Sequence, residues 1–219
     1  MKMRTRVVVV GLSILFLVAG RASAGLIVNG DFEAGNTGFV TTYMYSPGDI
    51  GPARSYDVVA NPALSRPNDV NPVSYGDHTT GSGLMMAVNG ALTPNTLVWA
   101  QSVAVVPGAD YQFSMWLSSW FPTIPGEFDV LFNGTSIGTP SAPSTVAVWR
   151  QFTASWNSGS ASSVAIEIRM TNSADIGGDF AFDDISLNGP APVPEPAGVL
   201  MFLSGAGLLG WRFRRRKPV

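Results

Sequence analysis

The 219-residue chain has no cysteine, which excludes disulfides, thiol nucleophiles, iron–sulfur clusters and thiolate zinc sites together. Charge is scarce too, at 13% Asp, Glu, Lys and Arg. Between Gly25 and Pro196 there is no lysine, and the only cations are Arg54, Arg66, Arg150 and Arg169. All fifteen carboxylates fall in that stretch, giving it a net charge of −11. A phosphate backbone is held by clustered positive charge, so a nucleic-acid partner is not expected. An acidic body suits a divalent cation, or solubility outside the cell. Plentiful glycine (24) and proline (16) favour short strands joined by turns over long surface helices.

The remaining basic residues sit at the two ends. Lys2, Arg4 and Arg6 precede an apolar run from Val7 to Ala19, and small residues follow at Ala22 and Ala24. This order is that of a secretory signal peptide over residues 1–24, with cleavage by signal peptidase expected between Ala24 and Gly25. At the other end, Pro190, Pro192, Pro194 and Pro196 make a stiff tether (190–196) that cannot continue a strand. Residues 197–211 carry no charge, and Arg212, Arg214, Arg215, Arg216 and Lys217 follow. As a helix the uncharged stretch is about 22 Å long, short of the roughly 30 Å hydrocarbon core. It is expected to span by thinning the bilayer or by snorkelling of its flanking arginines. The basic tail would stay cytoplasmic, leaving the acidic body on the side to which a signal peptide delivers it.

Pro194, Glu195 and Pro196, the short apolar helix and the terminal basic cluster together resemble the PEP-CTERM sorting signal of exosortase substrates, a tag of Gram-negative bacteria that make exopolysaccharide. The resemblance implies retention as an inner-membrane-anchored precursor, cleavage near Pro-Glu-Pro by a membrane-embedded exosortase, and delivery to the cell surface or extracellular matrix.

From residue 25 to 189 the dominant period is two. Tyr111, Phe113, Met115 and Leu117 alternate with more polar positions; so do Phe128, Val130 and Phe132, and Val164, Ile166, Ile168 and Met170. Each such run reads as a strand with one buried face. Further strands are expected at 26–29, 39–45, 84–89, 97–106, 148–156 and 180–187. Asn133-Gly134 marks a hairpin, and 46–83, rich in Pro, Asn, Asp and Gly, reads as one long loop. About nine strands with no helix between them predict an all-β fold, an antiparallel jelly-roll β-sandwich.

Leu26 to Glu33 resembles the opening strand, Trp149 to Trp156 a late strand, and Phe180 to Leu187 the closing strand of galactose-binding-like jelly rolls that include carbohydrate-binding modules. In such domains the first and last strands lie close together and often share a structural calcium. That resemblance implies Asp31, Glu33, Asp183 and Asp184 as candidate Ca²⁺ ligands, with Glu33 and Asp184 preferred. Hard oxygen donors of this type are what the ion requires.

Three classes of activity remain open from the sequence. A sugar-binding module would use aromatic faces and nearby amides and carboxylates. Trp116, Trp120 and Phe121 lie on or just after a strand whose core positions have the other parity, which would leave them facing solvent toward exopolysaccharide. A purely structural coat protein would need only multivalent weak contacts in a biofilm matrix. A hydrolase is disfavoured: His78 is the only histidine, and there is no Gly-x-Ser-x-Gly, His-Glu-x-x-His or phosphate-binding glycine loop. Glu127 and Asp129 share a strand face, but nothing places them across a glycosidic bond. No catalytic residue is assigned.

Overall fold

The computed structural model describes residues 23–66, 73–121, 124–173 and 178–192. The signal peptide up to Ala22, Pro194-Glu195-Pro196, the apolar stretch and the basic tail lie outside the described residues. Among the described residues no helix is long and apolar enough to cross a membrane.

Among the described residues eleven strands form two sheets: β1 (Ser23–Gly25), β2 (Met44–Tyr45), β3 (Ser55–Val59), β4 (Met85–Asn89), β5 (Thr96–Ala104), β6 (Asp110–Ser119), β7 (Phe128–Phe132), β8 (Thr135–Gly138), β9 (Arg150–Asn157), β10 (Ser163–Met170) and β11 (Phe180–Pro190). The large sheet runs β2-β3-β4-β11-β6-β9, with β1 also paired to β11, and the small sheet runs β5-β10-β7-β8. Every pairing is antiparallel except β2 with β3. The all-β sandwich is therefore as expected.

The period-two positions face one another across the sandwich. Tyr111, Phe113, Met115 and Leu117 of β6, Val88 of β4, and Phe180 and Phe182 of β11 pack with Phe128, Val130 and Phe132 of β7 and Val164, Ile166, Ile168 and Met170 of β10. Aromatic edge-to-face pairs stitch the layers, including Phe113–Phe132 at 5.5 Å and Phe128–Phe180 at 4.6 Å. Asn133 (φ 49°) and Gly134 (φ 79°) turn the β7–β8 hairpin, both left-handed as the tight two-residue turn requires.

Three local expectations are corrected. Residues 26–29 are not the paired opening strand. Pairing is by β1, with Leu26 N–H adding a bond to Leu187 O, and the chain then turns at Asn29 (φ 55°) and Phe32 (φ 56°). The Asn29 side chain builds that turn, accepting from Ala34 N–H and donating to Gly35 O and Thr37 O. Of 39–45 only Met44–Tyr45 is strand, with an isolated bridge from Val40 to Ala100. Residues 46–83 are not one loop, because they contain β3 and a 3-10 turn, Pro62–Ser65. The strand was hidden by Asp57, a buried carboxylate that accepts bonds from Gly48 N–H and Ser65 Oγ–H and so folds the segment back onto β3.

Candidate functional site

The outward face of the large sheet divides into two halves. At the β3–β4 end it is covered. Ile50, Met85, Ala87, Trp120 and Ala181 form a second apolar cluster, with Val59, Val73, Tyr75, Phe121 and Trp149 packed against it. Trp120 is 2% exposed, and its Nε1–H donates to Val88 O and Phe180 O. The guanidinium of Arg66 stands 5.2 Å from its ring centroid. The expectation of a solvent-facing Trp120 is thus corrected, and Phe121 belongs to the rim of the same cluster. Parity placed Trp120 away from the main core, while Phe121, of core parity, follows the end of β6; Ile50, Val59, Val73 and Tyr75 make this part of the sheet two-sided.

Beyond the cover, the face is open and polar. Strand pairing sets Asn188, Gln112 and Ser155 in one row, and Ser186, Ser114 and Thr153 in the next. The third row is Asp183, Trp116 and Gln151. Between Asp183 and Ser186 the β11 register shifts, and Asp184 is left-handed (φ 47°). Such a bulge re-aims side chains: Ile185 drops into the core while Asp184 stays half-buried at the surface.

The segment 75–83 closes over this bulge. Asp183 is fully buried and its Oδ2 accepts from His78 N–H (2.8 Å), Thr79 N–H (3.1 Å) and Thr79 Oγ1–H (3.2 Å). Burial pushes its carboxyl up to about 7, against the lowering effect of the backbone N–H groups of Asp184, Thr79 and His78. Asp184 takes His78 Nδ1 at 2.6 Å and Thr79 Oγ1–H at 2.9 Å. The segment itself is folded around Asp77, which accepts from Thr80 N–H and Gly83 N–H. A Cβ at Gly83 would lie 1.9 Å from Glu33 Oε1, so a larger residue there would displace the Glu33 carboxylate.

His78 stacks on Trp116, with ring centroids 3.7 Å apart and planes at 17°. Trp149 meets His78 edge-on at 5.9 Å, and Tyr75 meets Trp149 likewise. This aromatic array adjoins a cleft of about 420 Å³ lined by Asn29, Asp31, Ser114, Trp116, Asp184 and Ser186, among others. Its floor is fixed by Gly30, whose C=O accepts from Ile185 N–H, and where a Cβ would lie 1.9 Å from Ile185 O. Trp116 is the expected aromatic that the fold brings to a cleft.

The four expected calcium ligands do not converge. Asp31 and Asp184 share the cleft, but Glu33 Oε1 turns to Leu84 N–H and Asp183 is enclosed by its donors. Among the described residues no group of three or more His, Cys, Asp and Glu could hold a metal ion. His78 Nδ1 bonds Asp184 at 2.6 Å, while the Ser114 and Ser186 hydroxyls bond each other at 2.8 Å. Glu127 and Asp129 belong to the small-sheet side, where Asp129 accepts from Ser136.

The cleft's polar partners Asn29, Ser114 and Ser186 were missed in the sequence. Their signal was faint: alternation within β6 and β11 places the serines opposite the core, but nothing in the pattern distinguishes a binding row from a solvated one.

Residues 192–217 match the PEP-CTERM protein-sorting motif. The chain thus carries the tag of an exported protein that is processed by an exosortase. No curated protein sequence matches the chain. Among solved structures, the fold is similar to the CBM22-1 xylan-binding domain from Paenibacillus barcinonensis Xyn10C, at 13% identity, with 80% of this chain and 100% of that one covered and a TM-score of 0.50. It is equally similar to the Stig cyclase Fisc from Fischerella sp. TAU, at 12% identity, with 78% and 100% covered and a TM-score of 0.50. One architecture therefore serves a sugar-binding domain and an enzyme, so function has to be argued from the site.

Proposed function

We propose that this protein is a non-catalytic glycan-binding module of the cell surface or extracellular matrix of a Gram-negative bacterium, delivered there by exosortase processing and held among exopolysaccharide chains. The observation that carries the reading is the open cleft beside Trp116. An indole backed by stacked His78 presents an aromatic face, and hydroxyl, amide and carboxylate groups of Ser114, Ser186, Asn29 and Asp31 stand around it. Sugars offer C–H faces to the first and hydroxyls to the second. Among the described residues His78 Nδ1 bonds Asp184, and the Ser114 and Ser186 hydroxyls bond each other rather than His78.

Affinity electrophoresis of the full chain through gels containing neutral or acidic polysaccharides tests this. Retardation by at least one polymer, lost in Trp116→Ala, is expected. If no polymer retards the protein, the structural coat reading takes its place. Processing is tested separately by mass spectrometry of the surface fraction, which should contain an N-terminus at Gly25 and no peptide from Ala197 onward.

A further inference from the structure

Among the described residues, besides the three-residue β1, four sheet edges are free, and three of them are blunted. β2 has two residues. Along β5, Val40 exchanges both backbone bonds with Ala100, and Gln101 holds Val28 through its amide. β8 has four residues, ends at Gly138 and carries a register shift against β7. The fourth edge, β9, is eight residues long and pairs with β6 without a shift. From Gln151 to Asn157 it contains no charge, no lysine and no proline. Proteins protect long edges with such devices, and here the one charge is Arg150, at the start of the strand.

The direction of the unpaired groups follows from two bonds. Trp120 N–H donates to Asp179 O, and Ser158 N–H donates to Ala109 O. With the pairing registers, these make even residues of β6 face β11 and odd ones face β9, so that even residues of β9 bond to β6. Gln151, Thr153, Ser155 and Asn157 therefore aim their N–H and C=O groups outward, and none has a backbone partner among the described residues.

We propose that β9 pairs with β9 of a second copy of this chain, antiparallel, about a two-fold axis at Ala154. Thr153 then faces the partner's Ser155 and Gln151 the partner's Asn157, each pair exchanging the backbone bonds now left open. Phe152 meets the partner's Trp156 on the inward face, where both rings are half-buried. The strand is self-complementary in polarity, as a two-fold interface requires. Two bodies of net −11 repel, and the uncharged strip from Gln151 to Asn157 keeps that repulsion out of the seam itself. Because β2 offers only two residues at the opposite edge, assembly stops at the dimer. The polar outward faces of the two copies become continuous, giving two clefts on one surface.

The absence of cysteine makes the test direct. Opposed residues that do not exchange backbone bonds have Cα atoms about 4.5 Å apart, within disulfide reach. Full-length Ala154→Cys in detergent micelles under mild oxidation should form at least tenfold more covalent dimer than Ala165→Cys, which lies exposed on β10 of the other sheet. Adding Thr153→Lys and Ser155→Lys, both at exposed positions, should return cross-linking to the control level by setting like charges opposite one another. Sedimentation of the unmodified protein at tens of micromolar should show the dimer, and of the two-lysine variant the monomer. Cross-linking of Ala154→Cys no greater than Ala165→Cys, or an unmodified chain that sediments as a monomer, overturns the proposal.

Discussion

Trp116 and Trp120 lie four residues apart at the same parity, both directed away from the main core, yet they have opposite fates. Trp120 is 2% exposed and hydrogen-bonded beneath the 46–83 segment; Trp116 is half-buried, with His78 stacked on it and a cleft beside it. The difference teaches that parity assigns a side chain to a face, while the chain segments lying over that face decide whether it becomes core or surface. Asp183 sits at the boundary between the two halves, buried but ringed by donors from the covering segment.

The comparison can be broken most forcefully at Trp120. Trp120→Ala should cost about 3–5 kcal/mol, the range for deleting a buried large aromatic, and equilibrium unfolding would read it. A loss below about 1 kcal/mol would mean that the covering segment does not form a second core. Next in size is Gly30→Ala, whose new Cβ would meet the Ile185 carbonyl at 1.9 Å. Backbone cannot yield cheaply, so a loss of about 1–3 kcal/mol and weaker glycan retention are expected together. Trp116→Ala should cost only about 1 kcal/mol while abolishing retention, separating binding from folding where Trp120→Ala does not.

Two smaller effects sharpen the boundary. Asp183 has an ordinary carboxyl value of 3.8 when unfolded and about 7 when folded, so between those values the folded state holds the extra proton. Its contribution to stability is complete below about pH 4 and declines as pH rises through about 7. Melting temperature should therefore fall over that window, and less steeply in Asp183→Asn; equal slopes would show that Asp183 titrates normally. Smallest of all, a calcium chelator should leave the melting temperature unchanged, because Glu33 and Asp183 already have N–H donors. A chelator-induced drop would mean that segment 75–83 moves away to admit the ion.

The sandwich was legible because its inward positions follow strict alternation: β6, β7 and β10 lie where their apolar periods put them, and Asn133-Gly134 turns as its chemistry dictates. β3 was not legible, since Asp57 breaks its pattern and its carboxylate is satisfied by Gly48, Val58 and Ser65 in the folded chain. For the site, Trp116 and the Asp183–Asp184 pair were found as residue types, but their roles were not. The bulge at Asp184 and the placement of His78 between Trp116 and Asp184 depend on contacts more than 100 residues apart in sequence. No local pattern encodes those.

The most direct test of the glycan-binding surface is affinity electrophoresis of the full chain and Trp116→Ala against one panel of neutral and acidic polysaccharides. Retardation of the parent by at least one polymer, with the variant migrating as in a sugar-free gel, is the result expected. Equal retardation of both proteins, or none of either by any polymer, would contradict it.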